Sequence, residues 1–497
     1  MRRFLSLTAS GLCLLASYPA TGCGAAEPLL RIVGPDTVRG WTTIRAETSV
    51  PVANVAAISL RINGRAIGSD TTPPYAVLVD GTALRRGRHQ ATLELVRRDG
   101  SRVRSSTAIV VIAGGHPREL VASPHHGFER ALRALARGNV TVRLAPGRYP
   151  VSALRLGNGA RLVGSGRATV LAAPTGPYWA AVVVDGNDTL LSRLAIDGAG
   201  DGGGEGHAVV VQSGVRGFVA RELIIQRVRR VGVYAWGSLN DISVQDARIT
   251  SGGYADAGVI AALPAGNDLS VIRTRIAGFR QWGINFVQSP HENRATGLRA
   301  LALDNVVTDI DAPEDTHGTT KGGIWSGGAG AAIIGNVIRR TGGDGIETVG
   351  SSHAVSIIDN RVSDTPVGIY LEHSTTQSVI ARNVIVNTRT GINVEWEYGG
   401  VGSGQNVFAW NHVLRASSVG LFIDVGADDN RVFANRLDAG VAGIVLQGSS
   451  QNHIARNVVC RAVSAIEQRV GLWDDKRAAQ PVANRLERNR LTRTCKK

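Results

Sequence analysis

"DNRVSD" (359–364) and "RNVIVN" (382–387) carry an asparagine at the same second position, ahead of a short apolar run, and decide how the chain is read. Aligned on that residue, the later half repeats as DNVVTD, GNVIRR, DNRVSD, RNVIVN, WNHVLR, ANRLDA, RNVVCR and RNRLTR. The marked residues are Asn305, Asn336, Asn360, Asn383, Asn411, Asn435, Asn457 and Asn489, and successive ones lie 22 to 32 residues apart. Self-similarity at that spacing predicts a solenoid of stacked coils. Each coil has room for two or three short strands and too little apolar surface to fold alone. An asparagine at one turn of every coil predicts a ladder, each side-chain amide bonding the backbone of the next.

A helix over 126–138 ("HGFERALRALARG") precedes the coils, with Phe128, Leu132 and Leu135 on one stripe. A strand, a Pro-Gly-x-Tyr turn and a second strand follow in "VTVRLAPGRYPVSALRLGNGARLVGSG". Helical cap, turn and asparagine-marked coils together resemble the right-handed parallel β-helix of the pectin-lyase-like superfamily, over roughly 115–497. The resemblance implies an all-β solenoid. That superfamily contains polysaccharide lyases, glycoside hydrolases, epimerases, tailspikes and adhesins, so the fold alone does not choose a chemistry.

Residues 28–113 read differently. "AAISLRING", "PYAVLVDG", "HQATLELVRRDG" and "STAIVVIAG" alternate at strand length between Gly, Asp and Pro turns, which predicts a β-sandwich. The stretch resembles the bacterial immunoglobulin-like modules of secreted enzymes and adhesins. Residues 1–26 read as an export signal: Met1-Arg2-Arg3, an apolar run from Phe4 to Ala20, then Gly24-Ala25-Ala26. Ala20-Thr21-Gly22-Cys23 resembles a lipobox lacking its leucine, an alternative that would anchor the chain through a lipid on Cys23. No other stretch is a candidate membrane span. Export suits a disulfide between the remaining cysteines, Cys460 and Cys495. The formal charge of +15 is arginine spread along the chain, without a basic run or nucleic-acid motif. An acidic polysaccharide or an anionic surface is the partner such a field favours.

Inside the repeat a glycine opens one strand of each coil: Gly345, Gly368, Gly391, Gly420 and Gly443. The strands read GIETVG, GIYLEH, GINVEW, GLFIDV and GIVLQG. Isoleucine, leucine and valine dominate the first and third positions after the glycine, so these face the core and the second and fourth face outward. The fourth positions are Val349, Glu372, Glu395, Asp424 and Gln447; the second are Glu347, Tyr370, Asn393, Phe422 and Val445. Three carboxylates therefore stack on consecutive coils, with Glu347 diagonal to the first. At the roughly 4.8 Å between strands, like charges repel by about 1 kcal/mol in water and about 3–4 kcal/mol at a surface-type dielectric. A shared proton, a cation, an arginine or a substrate must offset that; a solvated polar ladder is the plainer alternative.

The neighbours favour sugar. Trp325 takes the outward second position of the preceding strand, Tyr370 and Asn393 lie among the acids, and Trp396, Glu397 and Tyr398 lead into the loop "YGGVGSGQ". Two chemistries fit. Glycoside hydrolysis would divide the acid and the base or nucleophile roles among Glu372, Glu395 and Asp424, with Glu347 near. Elimination or C5-epimerisation of a uronate would instead use the acids to hold Ca2+, with a basic group taking the proton. Lys321 keeps that second reading open, since it is the one lysine in the solenoid body and lysine is more easily tuned than arginine. A non-catalytic glycan-binding surface protein is the third. Asp309, Asp311, Glu314, Asp315 and His317 form an acid-rich insertion that a Ca2+ ion or a solvated turn would explain. "SPHEN" (289–293) resembles the Asp-Pro-His motif of mannuronan C5-epimerases with serine replacing aspartate, which adds His291 and Glu292 as minor candidates.

Overall fold

The computed structural model describes residues 30–33, 37–38, 41–50, 54–71, 75–80, 84–111, 118–200, 206–237, 241–262, 268–286, 299–311, 322–372, 374–395, 402–473 and 477–493. The chain divides into two compact units, the first running to Glu119 and including Asn139–Thr141, the second made of Leu120–Gly138 and Val142–Lys497.

In the first unit the alternation seen in sequence becomes two sheets. Leu30–Val33, Trp41–Thr48 and Ala76–Asp80 form an antiparallel three-stranded sheet. Arg65–Asp70, Val55–Ile62, Gly87–Arg97, Arg102–Val111 and Thr37–Val38 form the other. Ile44 and Val79 from the first, with Ile58, Leu60, Leu93, Leu95 and Ile109 from the second, belong to one buried cluster. The result is a small β-sandwich.

The second unit is a right-handed parallel β-helix of about 12 turns. A cap helix, Phe128–Arg137, buries Phe128, Ala131 and Leu135; Leu132, expected on that stripe, is only half-buried because Ala131 takes the inner position. Tyr149 of the Pro-Gly-x-Tyr turn is buried, packs on Phe128 at 4.8 Å, and donates its hydroxyl to the Ala145 and Ala122 carbonyls. Successive coils then add one strand to each of three parallel sheets.

The asparagine ladder runs as the repeat predicts. The Oδ1 of Asn383 accepts both the backbone N–H and the side-chain Nδ2 of Asn360, each at 3.0 Å. Its own Nδ2 donates to the Ile357 carbonyl and to Asn411 Oδ1, both at 2.9 Å. The pattern links Asn305 to Asn489 coil by coil. A second ladder, not anticipated, joins Asn406, Asn430, Asn452 and Asn484. Each of these stands five residues ahead of a first-ladder asparagine, Asn406 before Asn411 and Asn430 before Asn435, so the signal was present in the sequence. The residue before a ladder asparagine is often left-handed, as at Asp359 (φ 58°) and Arg382 (φ 55°). That conformation costs about 1–2 kcal/mol per residue, and the amide bonds at each turn offset it.

The glycine-opened strands stack in the expected register. Ile346, Ile369, Ile392, Leu421 and Ile444 are fully buried and form one apolar ladder across Asp344–His353, Arg361–Leu371, Val384–Val394, Val419–Ile423 and Ala442–Gln447. The glycines themselves mark close approach. A Cβ on Gly391 would lie 2.4 Å from the Gly420 carbonyl oxygen and 2.6 Å from Val413 Cγ1.

Candidate functional site

Two outward columns cross the sheet that these strands build. In the first, Asn285 faces Trp325, Trp325 faces Glu347, Glu347 faces Tyr370, Tyr370 faces Asn393, Asn393 faces Phe422 and Phe422 faces Val445. The second carries the acids. The Glu372 amide bonds the Thr348 carbonyl, the Glu395 amide that of Leu371, and the Asp424 amide that of Val394. Glu372, Glu395 and Asp424 therefore sit on three consecutive coils, as the alignment places them.

Glu395 is the wired member. Tyr370 donates its hydroxyl to Glu395 Oε2 at 2.6 Å, and Asn393 Nδ2 donates to Oε1 at 2.7 Å, so both oxygens are oriented. Asp424 accepts from its neighbour's backbone N–H at Val425 (2.8 Å) and from Gln447 Nε2 (3.2 Å). Burial pushes the Asp424 pKa up to about 6, the Glu395 charge adds to the rise, and those two hydrogen bonds pull it back. Glu372 is buried, 5 % exposed.

One acid escaped the sequence reading. Asp344 stands immediately before Gly345 on the same strand as Glu347, and is 5 % exposed. Burial first, then the Glu347 and Glu395 carboxylates, push its pKa well above the usual carboxylate range, with Arg389 opposing. The column it occupies is real: Trp282 faces Gly322 and Gly322 faces Asp344. The alignment opened at the glycine, so the residue ahead of it was never compared.

Two expectations are corrected. Trp325 and Tyr370 stand in the outward column as expected but are not open platforms, being 4 % and 7 % exposed. Asp309 is held by Arg340 through two hydrogen bonds, at 2.6 and 2.9 Å, which makes it part of an Asp–Arg pair between coils and not a cation ligand. Asp246 with Arg273 and Asp359 with Arg382 repeat that pairing. Lys321, Trp396, Glu397, Tyr398, His291, Glu292, Glu314, Asp315, His317, Cys23 and Cys495 lie outside the described residues. Cys460 is disulfide-bonded, and it sits in register with Thr492.

Among the described residues no three His, Cys, Asp or Glu side chains group to hold a metal ion, and no helix is long and apolar enough to cross a membrane. His207 stacks on Tyr234 at 4.7 Å, and burial together with the Arg230 charge lowers its pKa to about 4.

The raised Asp424 has a stability consequence. Its folded-state pKa exceeds the unfolded value of 3.8, so the folded chain binds the proton more tightly and loses stability as pH rises from about 4 through about 6. A shift of that size is worth about 3 kcal/mol at most. Asp424→Asn is expected to be more stable than the parent at pH 7, by about 2–3 kcal/mol, with the gap closing near pH 4. Urea denaturation at the two pH values measures it.

The chain is similar to several solved structures. An exopolygalacturonase of Yersinia enterocolitica is 10 % identical, covers 92 % of this chain and 98 % of its own, and has a TM-score of 0.41. The catalytic domain of an α-1,3-glucanase is 12 % identical over 88 % of this chain and 86 % of its own, with a TM-score of 0.41. The surface adhesin PfbA of Streptococcus pneumoniae is 13 % identical over 70 % and 88 %, with a TM-score of 0.45. At these values nothing of their chemistry transfers. No curated protein sequence matches the chain. A family model, described as periplasmic copper-binding protein (NosD), matches residues 213–467. That match spans just over half of the 497 residues and takes in the acid column, the wired Glu395 and most of the asparagine ladder. The chain belongs to the NosD family of β-helix proteins.

Proposed function

We propose that the chain is an exported, carbohydrate-active enzyme that hydrolyses glycosidic bonds with Glu395 and Asp424. One observation carries the reading: two carboxyl groups on adjacent coils differ in how they are held. Glu395 is fixed by Tyr370 and Asn393, whereas Asp424 is half-buried with a pKa of about 6. Pairs whose environments divide them in this way divide acid and base work between them. Asp424 protonates the leaving oxygen, and Glu395 acts as the carboxylate; Glu372 completes the column.

Copper does not suit these residues. Copper sites draw on imidazole and sulfur, and the described acid column offers carboxylate, phenol and amide groups, with no three His, Cys, Asp or Glu side chains grouped among the described residues. The periplasmic part of the family description agrees with the N-terminal leader pattern. We read the N-terminal sandwich as an immunoglobulin-like accessory module.

The test is a panel of neutral and uronate polysaccharides, with and without chelator. New reducing ends without ultraviolet absorbance support hydrolysis. Unsaturated, chelator-sensitive products would support the lyase reading instead, and binding without turnover on every substrate a scaffold.

A further inference from the structure

Buried polar atoms in proteins almost always have a hydrogen-bond partner. Several side chains on the outer face of this solenoid do not, and three of them adjoin. Trp282 Nε1, Trp325 Nε1 and Asp344 Oδ2 are buried atoms without a partner. Their positions interlock. Trp282, Gly322 and Asp344 follow one another down one column, and Trp325 stands beside Glu347 in the next. Gly322 contributes no side chain between the indole and the acid. The two indoles lie parallel, 1° apart in plane with centroids at 5.5 Å, so their N–H groups are held as a fixed pair. Trp325 is 4 % and Asp344 5 % exposed, while Trp282 is half-buried at the edge of the group.

We propose that Trp282, Trp325 and Asp344 form a subsite for the hydroxyl groups of an uncharged sugar unit, bound next to the acid column and chosen over a uronate. The subsite rests on the hydrolase reading for its place beside the acids. Hydroxyl groups match the atoms left without partners, because each can accept from an indole N–H, which only donates, and can also exchange a hydrogen bond with the Asp344 carboxyl. The half-buried indole of Trp282, at the rim of the pair, takes the apolar side of the ring. The charge preference follows from position. Glu347 is one strand from Trp325 and on the same strand as Asp344, and the negative field of Glu347 and Glu395 that acts on Asp344 acts equally on a carboxylate placed against it. A uronate is disfavoured there by at least about tenfold.

The experiment uses the full chain and two polymers: a uronate polysaccharide and the same polymer after chemical reduction of its carboxyl groups to alcohols. Affinity is measured by calorimetry for the parent, Trp325→Phe and Trp282→Phe, with circular dichroism confirming the fold. The reduced polymer is expected to bind at least tenfold tighter than the uronate. Each phenylalanine variant, lacking one N–H, is expected to bind the reduced polymer about tenfold more weakly. Trp282 stands at the rim, so its variant keeps the test open should Trp325→Phe fold poorly. Equal or tighter binding of the uronate, or unchanged affinity in a folded Trp282→Phe, overturns the subsite. Tight binding of the reduced polymer without turnover upholds it and overturns the hydrolase. Turnover with a uronate preference does the reverse.

Discussion

Glu395→Gln is expected to lower kcat by about two to four orders of magnitude, the range lost with a positioned acid or base, while the fold stays intact. The substitution is nearly isosteric, and its hydrogen bonds can be kept. The new amide oxygen accepts from Asn393 Nδ2, and the new amide nitrogen donates to the Tyr370 oxygen, which can turn its own hydrogen away. What disappears is the carboxylate charge, and with it the nucleophile or base. Asp424 should also titrate lower, because the Glu395 charge is one cause of its raised pKa. Kinetics on whichever polysaccharide the panel identifies, paired with a thermal melt, decide the matter. Glu372→Gln is expected to act in the same direction through the shared column. Rates unchanged in both variants would mean that the acids are a solvated ladder and nothing more.

Asn383→Ala is expected to cost about 4–6 kcal/mol, several hydrogen bonds at about 1–3 kcal/mol where buried partners are left unsatisfied. The asparagine is fully buried, and truncation strands the backbone N–H of Asn360 and takes one bond each from the Asn360 side-chain amide, the Ile357 carbonyl and the Asn411 oxygen, of which the amide keeps Ile333 and the oxygen keeps the backbone N–H of residue 383. That is a large share of the roughly 5–15 kcal/mol that holds a typical domain. Asn387, four residues further along on the strand Val384–Val394 that the turn leads into, provides the contrast. It is exposed and bonds Asp364 and Arg415 at the surface, so Asn387→Ala should cost about 1 kcal/mol. Equal midpoints in urea for the two variants would show that the ladder decorates the turn without stabilising it.

The architecture was legible because the solenoid repeats its own demands. Each coil needs an asparagine at one turn and a glycine where the chains approach, so Asn383 and Gly391 announce themselves by recurrence. The acid column was legible for a narrower reason: once Ile346, Ile369 and Ile392 are assigned inward, strand alternation fixes Glu372 and Glu395 outward. Asp344 was not, since it precedes the glycine that opened the frame, and nothing local distinguishes it from a turn aspartate. Nor was the shielding of Trp325 and Tyr370, which involves partners on neighbouring coils, Trp282 stacked on the one and Glu395 accepting from the other. Asp309 misled for a related reason. Its partner, Arg340, lies a full coil away and only the stacking brings them together.

The one-strand-per-coil register also bears on how such a chain can change over generations. A duplicated or deleted coil that carries its asparagine and its glycine leaves both ladders continuous, so gene segments of this length can be gained or lost with the fold preserved. Between Glu372 and Asp424 that freedom ends. One extra coil there would move a carboxylate a whole strand spacing from its partner, about 4.8 Å, and separate Tyr370 from the oxygen it orients. Length variation among descendants of this sequence is thus channelled to the coils on either side, with the three between Gly368 and Val425 inherited as a block.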